Sequence, residues 1–578
     1  MSKKTDSKAK VKSNNNKAKA KKSKESNNGI ENDVKISKTA KKGFRKLTDE
    51  DIQYITTIYY SDDLNHVEKC EKLTKKFGVT DRTIREWWVK LELSKPASKL
   101  PPQLQRAQLR NIDEDTDILI VTSAQNTTAL NYKLWGNIKT YIEVLKEKFN
   151  KKAQIIVIPT RYRNPTSPAE QLSKKHARMQ WWDVEVDKYL FYNKIQFGDC
   201  VISSDSHIRP TKKEPLKGMP SHAGNNHLVV GSPRIHLETA PRFRGDALRV
   251  RASTGALSVK NYSRSLTGDD GFFNHTYGFT IIEKKDKDTC YIPRSVSADT
   301  DGTFTDLNIR IKDGEHTIIK KVDGLVMGDI HRELLDMKLY EATKRLTKSL
   351  RPKNVVLHDV LDGYRFNPHE RRDYYLQRQK ILQGKFLIKD EVEQAVEFPK
   401  MVKKDFKCDK ILVIESNHDW FLDRHINDMD WKKDLHNSAT YLEYASIMQS
   451  TDLTEHGCLF GYLVNKRYEN KKYVDYIECG RTVRINGIVI SSHGESGTNG
   501  SKGTVKQFAS SGSKTTTAHT HSPSIMNGSH CVGLSATLKQ HYTRKGMSSH
   551  AHAHDIIHDT GKRQLLIFGD DYSLSGLL

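Results

Sequence analysis

In the C-terminal half of the chain, apolar runs end repeatedly on side chains that can hold a metal ion. "VDGLVMGDIHRE" ends on Asp329-x-His331, "NVVLHDVLDGY" on Asp359, and "KILVIESNHDW" on Asn417-His418-Asp419. "NGIVISSHGESG" ends on His493, and His519-x-His521 follows in Ala518-His519-Thr520-His521-Ser522-Pro523. Each short apolar run reads as a buried strand, and the polar residues after it as a loop at the strand's carboxyl end. A stretch rich in Leu, Lys and Glu after His331 reads as a helix, giving a β-α-β step to the strand before Asp359. Open α/β sheets place their sites outside the carboxyl ends of the strands. The expectation is therefore an α/β fold that gathers these ligands at one rim.

Taken singly, each of these histidines is more often a surface or satisfied core residue than a ligand. The ordered set points to a site for two metals. Two divalent ions about 4 Å apart can share a hydroxide, lower its pKa and clamp both ends of an in-line attack on phosphorus. A bridging carboxylate offsets the repulsion between them. Mixed nitrogen and oxygen ligands suit manganese or zinc, and iron less well, better than magnesium alone. The expected cofactor is thus a pair of divalent ions, Mn2+ first, with Zn2+ or Fe2+ as alternatives.

The order Asp-x-His, Asp-x-x-Asp, Asn-His-Asp, His and His-x-His resembles the calcineurin-like metallophosphoesterases over residues 320–570. The resemblance implies a β-sandwich with helices on both outer faces. It implies that Asp329, His331 and His521 hold one metal, that Asn417, His493 and His519 hold the other, and that Asp359 bridges them. It puts His418 beside the leaving group, to protonate or stabilise it; Asp419 is expected to fix the tautomer of that ring. His358, Ser416 and Ala518 stand where the family usually has glycine. The phosphoprotein phosphatase branch follows its second Asp with Arg-Gly and has Asn-His-Glu. Here Gly363-Tyr364 follow Asp362 and Asp419 follows His418, which disfavours that branch. The run from His493 to Pro523 also resembles metallophosphoesterases of tailed phages, in particular early-expressed host-DNA-degrading proteins of some siphophages. That implies action on host DNA in a bacterial cytoplasm. A competing first motif, Asp205 and His207 in "VISSDSHIRP", also ends an apolar strand, but no single β-α-β step joins it to Asp359.

The rest of the chain speaks for a polyanionic partner. The net charge is +24, and residues 1–46 carry fifteen Lys and one Arg against four acids. That tail has almost nothing to bury and is expected to be disordered, binding DNA by counterion release. Residues 47–95 read as three short helices. Thr48 caps the first, Gly78 makes a turn, and Thr80 caps a third carrying Ile84, Trp87, Trp88 and Leu91. This is a helix-turn-helix pattern in which Arg82, Thr83 and Arg85 would face the major groove; a small protein-binding bundle is the alternative. Residues 96–115, with Pro96, Pro101 and Pro102, read as a linker, and 116–322 as an α/β accessory domain before the metallophosphoesterase domain at 323–578. In that accessory region 117–123 and 153–159 read as strands, 132–149 and 168–190 as helices, and Arg242, Arg244, Arg249 and Arg251 as a basic run. The Gly- and Ser-rich 494–514 reads as a mobile loop at the site mouth, with Lys502 and Lys506 near a DNA backbone. His550, His552 and His554 alternate as on an exposed strand face.

No apolar run is long enough to cross a membrane, and the N-terminus lacks the core of a signal peptide. Seven scattered cysteines without a Cys-x-x-Cys fit a reducing cytoplasm. The expected activity is that of a metal-dependent DNA nuclease or phosphodiesterase. The alternatives are a phosphoprotein phosphatase, or a DNA-binding regulator on a non-catalytic phosphoesterase scaffold. DNA is the expected partner; self-association is left open.

Overall fold

The computed structural model describes residues 47–61, 64–91, 93, 100–166, 181–469, 472–540 and 546–578. The tail 1–46 and most of the helix expected over 168–190 lie outside these residues; Val184–Tyr189 at its end is a 3-10 turn. The chain divides into two compact units, with the boundary between Lys99 and Leu100.

The first unit is the three-helix module. Thr48 Oγ1 accepts the Asp51 N–H at 3.2 Å while the Asp51 carboxylate accepts the Thr48 N–H, so the helix Asp49–Tyr60 starts on a complete capping box. Asn65 and Glu68 do the same for His66–Phe77, which ends at Gly78 with φ 64°. The third helix is Asp81–Lys90. Ile55, Leu73 and Ile84 are fully buried between them, with Phe77 edge-on to Trp87. Arg82 pairs with Glu86 at 3.1 Å and Arg85 with Asp81 at 2.8 Å, and the Thr83 hydroxyl lies 3.0 Å from that of Thr80. Both ion pairs are solvent-exposed, so opening them costs little.

The second unit begins earlier than a linker reading allows. Pro102–Gln108 is a helix with Leu104 and Ala107 fully buried, and Arg106 pairs with Asp187 at 2.9 Å. Pro at the first helical position starts a helix as readily as Pro breaks a chain, which is why the segment looked like a spacer. The strand Ile118–Gln125, the helix Tyr132–Phe149 and the strand Ala153–Thr160 form as expected.

The unit's centre is a pair of facing sheets. The first has the strand order Val474–Ile477, Lys410–Ile414, Asn354–His358, Gly324–Val326, Ala553–Ile557, Arg563–Ile567. The first four run parallel and the last two are antiparallel. Alternation along these strands splits their side chains. Val355, Leu357, Ile411 and Val413 meet the helices Met337–Leu350 and Ile388–Phe406, through Leu346, Val392 and Ala395 among others. Val356, Leu412 and Ile414 meet Ile488, Ile490, Ile525 and Val532 of the second sheet. Each aliphatic side chain buried this way contributes roughly 1.5–3 kcal/mol.

The second sheet has ten strands and combines segments remote in sequence. Strands at 484–485, 488–489, 515–517, 529–531 and 524–526 continue into 236–239, 250–253, 227–230, 200–203 and 194–197. The joint is the antiparallel pairing of Ser524–Met526 with His236–Thr239. The boundary expected at 322/323 therefore falls inside one unit, and 116–322 does not form a separate domain. The helices Met337–Leu350 and Ile388–Phe406 cover the outer face of the first sheet. On the 194–230 strands, Phe197, Ile202 and Val229 pack instead against Leu119, Val121, Ile156 and Ile158 of a third, four-stranded sheet. Of the basic run, Arg242, Arg249 and Arg251 are held by Asp570, Asp199 and Glu238 at 2.8, 2.7 and 3.0 Å. Among the described residues no helix is long and apolar enough to cross a membrane.

Candidate metal centre

All five ligand segments follow strands, and they come from both facing sheets. Asp329, Asp359 and Asn417 lie just beyond Gly324–Val326, Asn354–His358 and Lys410–Ile414 of the first sheet. His493 and His519 follow the short strands Ile488–Val489 and Thr515–Thr517 of the second. The backbone turns sharply at the ligands: His331, Asp359, His519 and His521 have φ of 42, 46, 67 and 57°. Non-glycine residues rarely hold such angles, and they cluster where surrounding structure imposes them. Part of that constraint is visible. The Asp359 N–H donates to Ser416 Oγ at 2.9 Å, and the Asp329 N–H to the Gly533 carbonyl at 3.0 Å. Gly328 makes the latter approach possible, since a Cβ there would lie 2.7 Å from the Gly533 backbone.

The side chains converge in two overlapping groups. His521 Nε2 is 3.0 Å from Asp329 Oδ2 and 3.2 Å from His331 Nε2, which is 3.7 Å from Asp359 Oδ2. Asn417 Oδ1 lies 3.1 Å from both His493 Nε2 and His519 Nδ1, and His493 Nε2 is 3.2 Å from Asp359 Oδ2. Asp359 thus touches both groups. Ligand atoms of Asp329, His331, Asp359 and His521 lie close enough together to hold one ion, as do those of His331, Asp362 and His418. Asp329, His331, Asp359 and His493 are buried, while Asn417, His418 and His519 are only partly so, which makes theirs the open side.

The residues fit a metal. Asp329 Oδ1, Asp359 Oδ1 and His493 Nδ1 are buried and make no hydrogen bond among the described residues, a costly state for polar atoms without another partner. Charge crowding says the same. Burial alone would lower the His493 imidazole, yet the Asp359 and Asp329 carboxylates lift it to about 10. His331 is likewise lifted against burial, by Asp362 and Asp359, to about 9. Burial would raise Asp359, but His493 and His418 hold it well below its usual range. These protons stand in for positive charge that metal ions would bring.

Asp419 does not orient His418. Its Oδ2 accepts the Ser416 N–H at 3.0 Å and the Tyr476 hydroxyl at 2.9 Å, bracing the loop from beneath. Burial, then the nearby Asp359 charge, pushes its carboxyl well above the usual range. His418 is held instead by the backbone carbonyl of Asp362, to which its Nδ1–H donates at 2.6 Å. Burial lowers this imidazole. Asp362, given no role from the sequence, also reaches His331 Nδ1 at 2.8 Å.

Other residues had no local signal. His358 is fully buried, its ring 5.6 Å from that of His493, with neither nitrogen hydrogen-bonded among the described residues. His554 accepts the Gly328 N–H at 3.1 Å and lies 2.9 Å from Thr343 Oγ1. His552 meets the Leu534 carbonyl at 2.9 Å, and His550 stacks edge-on to His521 at 5.0 Å. His552 and His554 are therefore buried and His550 half-buried, rather than alternating on an exposed face. Asp205 is exposed and bonded to Ser203 at 3.2 Å. Lys502 is exposed on a loop that carries the short helix Val505–Ser510, and Lys506 is paired with Glu214 at 2.7 Å.

The fold and site define an α/β protein with a buried Asp/His cluster that can bind metal. In sequence the chain is similar to "Protein A1" of Escherichia phage T5, at 28% identity over 409 residues, covering 67% of this chain and 72% of that protein. No protein-family model matches the chain, and no solved structure does.

Proposed function

We propose that this chain is a metal-dependent DNA phosphodiesterase, a nuclease. The observation that carries the reading is the meeting of Asp329, His331, Asp359 and His521 with Asn417, His493 and His519 around one shared carboxylate. Asp329, His331 and His521 would hold one divalent ion, Asn417, His493 and His519 the other, and Asp359 both; Mn2+ suits the donors best, then Zn2+ or Fe2+. Such ions, when bound, supply the Lewis acidity that activates water and draws charge from the phosphate. The chain's own residues do the rest. The Asp362 carbonyl fixes the His418 ring with Nε2 left for proton transfer. An arriving phosphate favours the imidazolium, so His418 can take up a proton and deliver it to the leaving oxygen. DNA as substrate is supported by the net charge of +24, by the Lys-rich tail and by the helical module with Arg82, Thr83 and Arg85 on its third helix. The likeness to Protein A1 of phage T5 supports a phage origin, with a bacterial cytoplasm as the place of action.

The test is cleavage of DNA by the purified protein with Mn2+, with and without EDTA, beside Asp359→Asn. EDTA should stop cleavage, and Asp359→Asn should abolish turnover while leaving DNA affinity largely intact. Cleavage by Asp359→Asn at the wild-type rate would remove the site assignment.

A further inference from the structure

We infer that the groove behind His550 seats a single DNA strand as it leaves the metal centre, an inference that rests on the nuclease reading. The groove holds about 330 Å³ and is walled by residues 242–246 on one side and by Leu538, Lys539, Gly546, Ser548 and His550 on the other. His550 joins it to the site, because its ring packs edge-on to that of His521, 5.0 Å away. The two walls are fixed to each other. The Arg242 N–H donates to the Ser548 carbonyl at 3.0 Å, the Ser548 N–H returns to Arg242 at 2.9 Å, and Asp570 ties Arg242 at 2.8 Å.

The free chemistry of the groove matches a nucleotide chain. Arg242 is spent on Asp570, and Asp246 accepts the Phe243 N–H at 3.1 Å. Arg244 and Lys539 are exposed cations lining the same groove, and no carboxylate pairs with either among the described residues. Phe243, which lines the groove with them, is 61% exposed, and Met547, between the lining residues Gly546 and Ser548 in the chain, 59%. An exposed aromatic ring sharing a groove with exposed cations is what single strands use, with bases stacking on the ring and phosphates meeting the charges. Phosphoprotein recognition needs the cations without the ring. A duplex would present no base face to Phe243, so the occupant is a single strand or an unpaired end.

Cross-linking tests this without relying on cleavage. Full-length protein kept in EDTA is irradiated with a 5-iodouracil oligonucleotide, and the linked peptides are mapped by mass spectrometry. The inference expects linkage at Phe243, in addition to any in the tail or helical module. Linkage confined to residues 1–95 overturns it. With Mn2+, Phe243→Ala plus Arg244→Ala should raise KM for a single-stranded oligonucleotide about tenfold, with the salt slope of binding falling by roughly 0.7 for the lost phosphate contact. An unchanged KM and slope in an active variant also overturns it. Linkage at Phe243 in a protein that cuts no DNA would leave the groove standing and remove the nuclease reading instead.

Discussion

Replacing Asp419 separates a bracing carboxyl from a reacting one. Its Oδ2 takes two buried donors, the Ser416 N–H and the Tyr476 hydroxyl, and its Oδ1 makes no hydrogen bond. Because burial raises this carboxyl well above its usual range, a neutral side chain of the same shape is a close substitute. Asp419→Asn keeps one oxygen for both donors, so Mn2+-dependent cleavage should stay within about threefold of wild type, on the order of 0.6 kcal/mol. Asp419→Ala strands both donors. At about 1–3 kcal/mol each, the loss is roughly 2–6 kcal/mol, and the Ser416 loop that holds Asp359 loses its brace. The assay pairs urea unfolding, compared by midpoint, with initial cleavage rates. The expected order is Asp, then Asn close behind, then Ala both unstable and slow. If Asp419→Asn is as inactive as Asp419→Ala while unfolding like wild type, the carboxylate itself takes part in the reaction and the bracing role is wrong.

Three further outcomes follow from the same contacts. In the metal-free protein the neighbouring carboxylates lift His331 to about 9 and His493 to about 10, so both are expected to carry protons at neutral pH that metal uptake must expel; Mn2+ affinity should rise as pH rises from 6 to 8, with proton release read by calorimetry in buffers of different ionisation enthalpy. His554→Ala removes the acceptor of the Gly328 N–H beneath Asp329 and should cost roughly 2–4 kcal/mol together with a tenfold or larger loss of metal affinity; full metal binding by a destabilised variant would show that this contact serves stability alone. Trp87→Ala should cost about 3–5 kcal/mol in the helical module, and that variant should bind DNA more weakly while taking up metal normally; equal loss of metal would mean the two units do not act independently.

The first sheet was legible because its evidence is local. Three of its apolar runs stop on polar residues, and the parallel pairing of Lys410–Ile414 with Asn354–His358 is the ordinary result of β-α-β steps. The capping box at Thr48 and the left-handed turn at Gly78 are equally local. The second sheet was not legible. Thr515–Thr517 is too short to show a period, and the pairing of Ile525 with Leu237 depends on chain that lies far upstream. The same limit explains Asp419. Adjacency suggested His418 as its partner, whereas Tyr476 arrives from the neighbouring strand, 57 residues away. His358 and His554 read as ordinary strand residues, and only the packed structure puts the one beside His493 and the other under Gly328.

One carboxylate, Asp359, lies against both groups of ligands. Metal content after equilibration with Mn2+ and gel filtration shows whether two ions share it. The account predicts two ions per wild-type chain, with Asp359→Asn losing affinity at both positions and Asn417→Ala at one. Two ions retained at wild-type affinity in Asp359→Asn would contradict it.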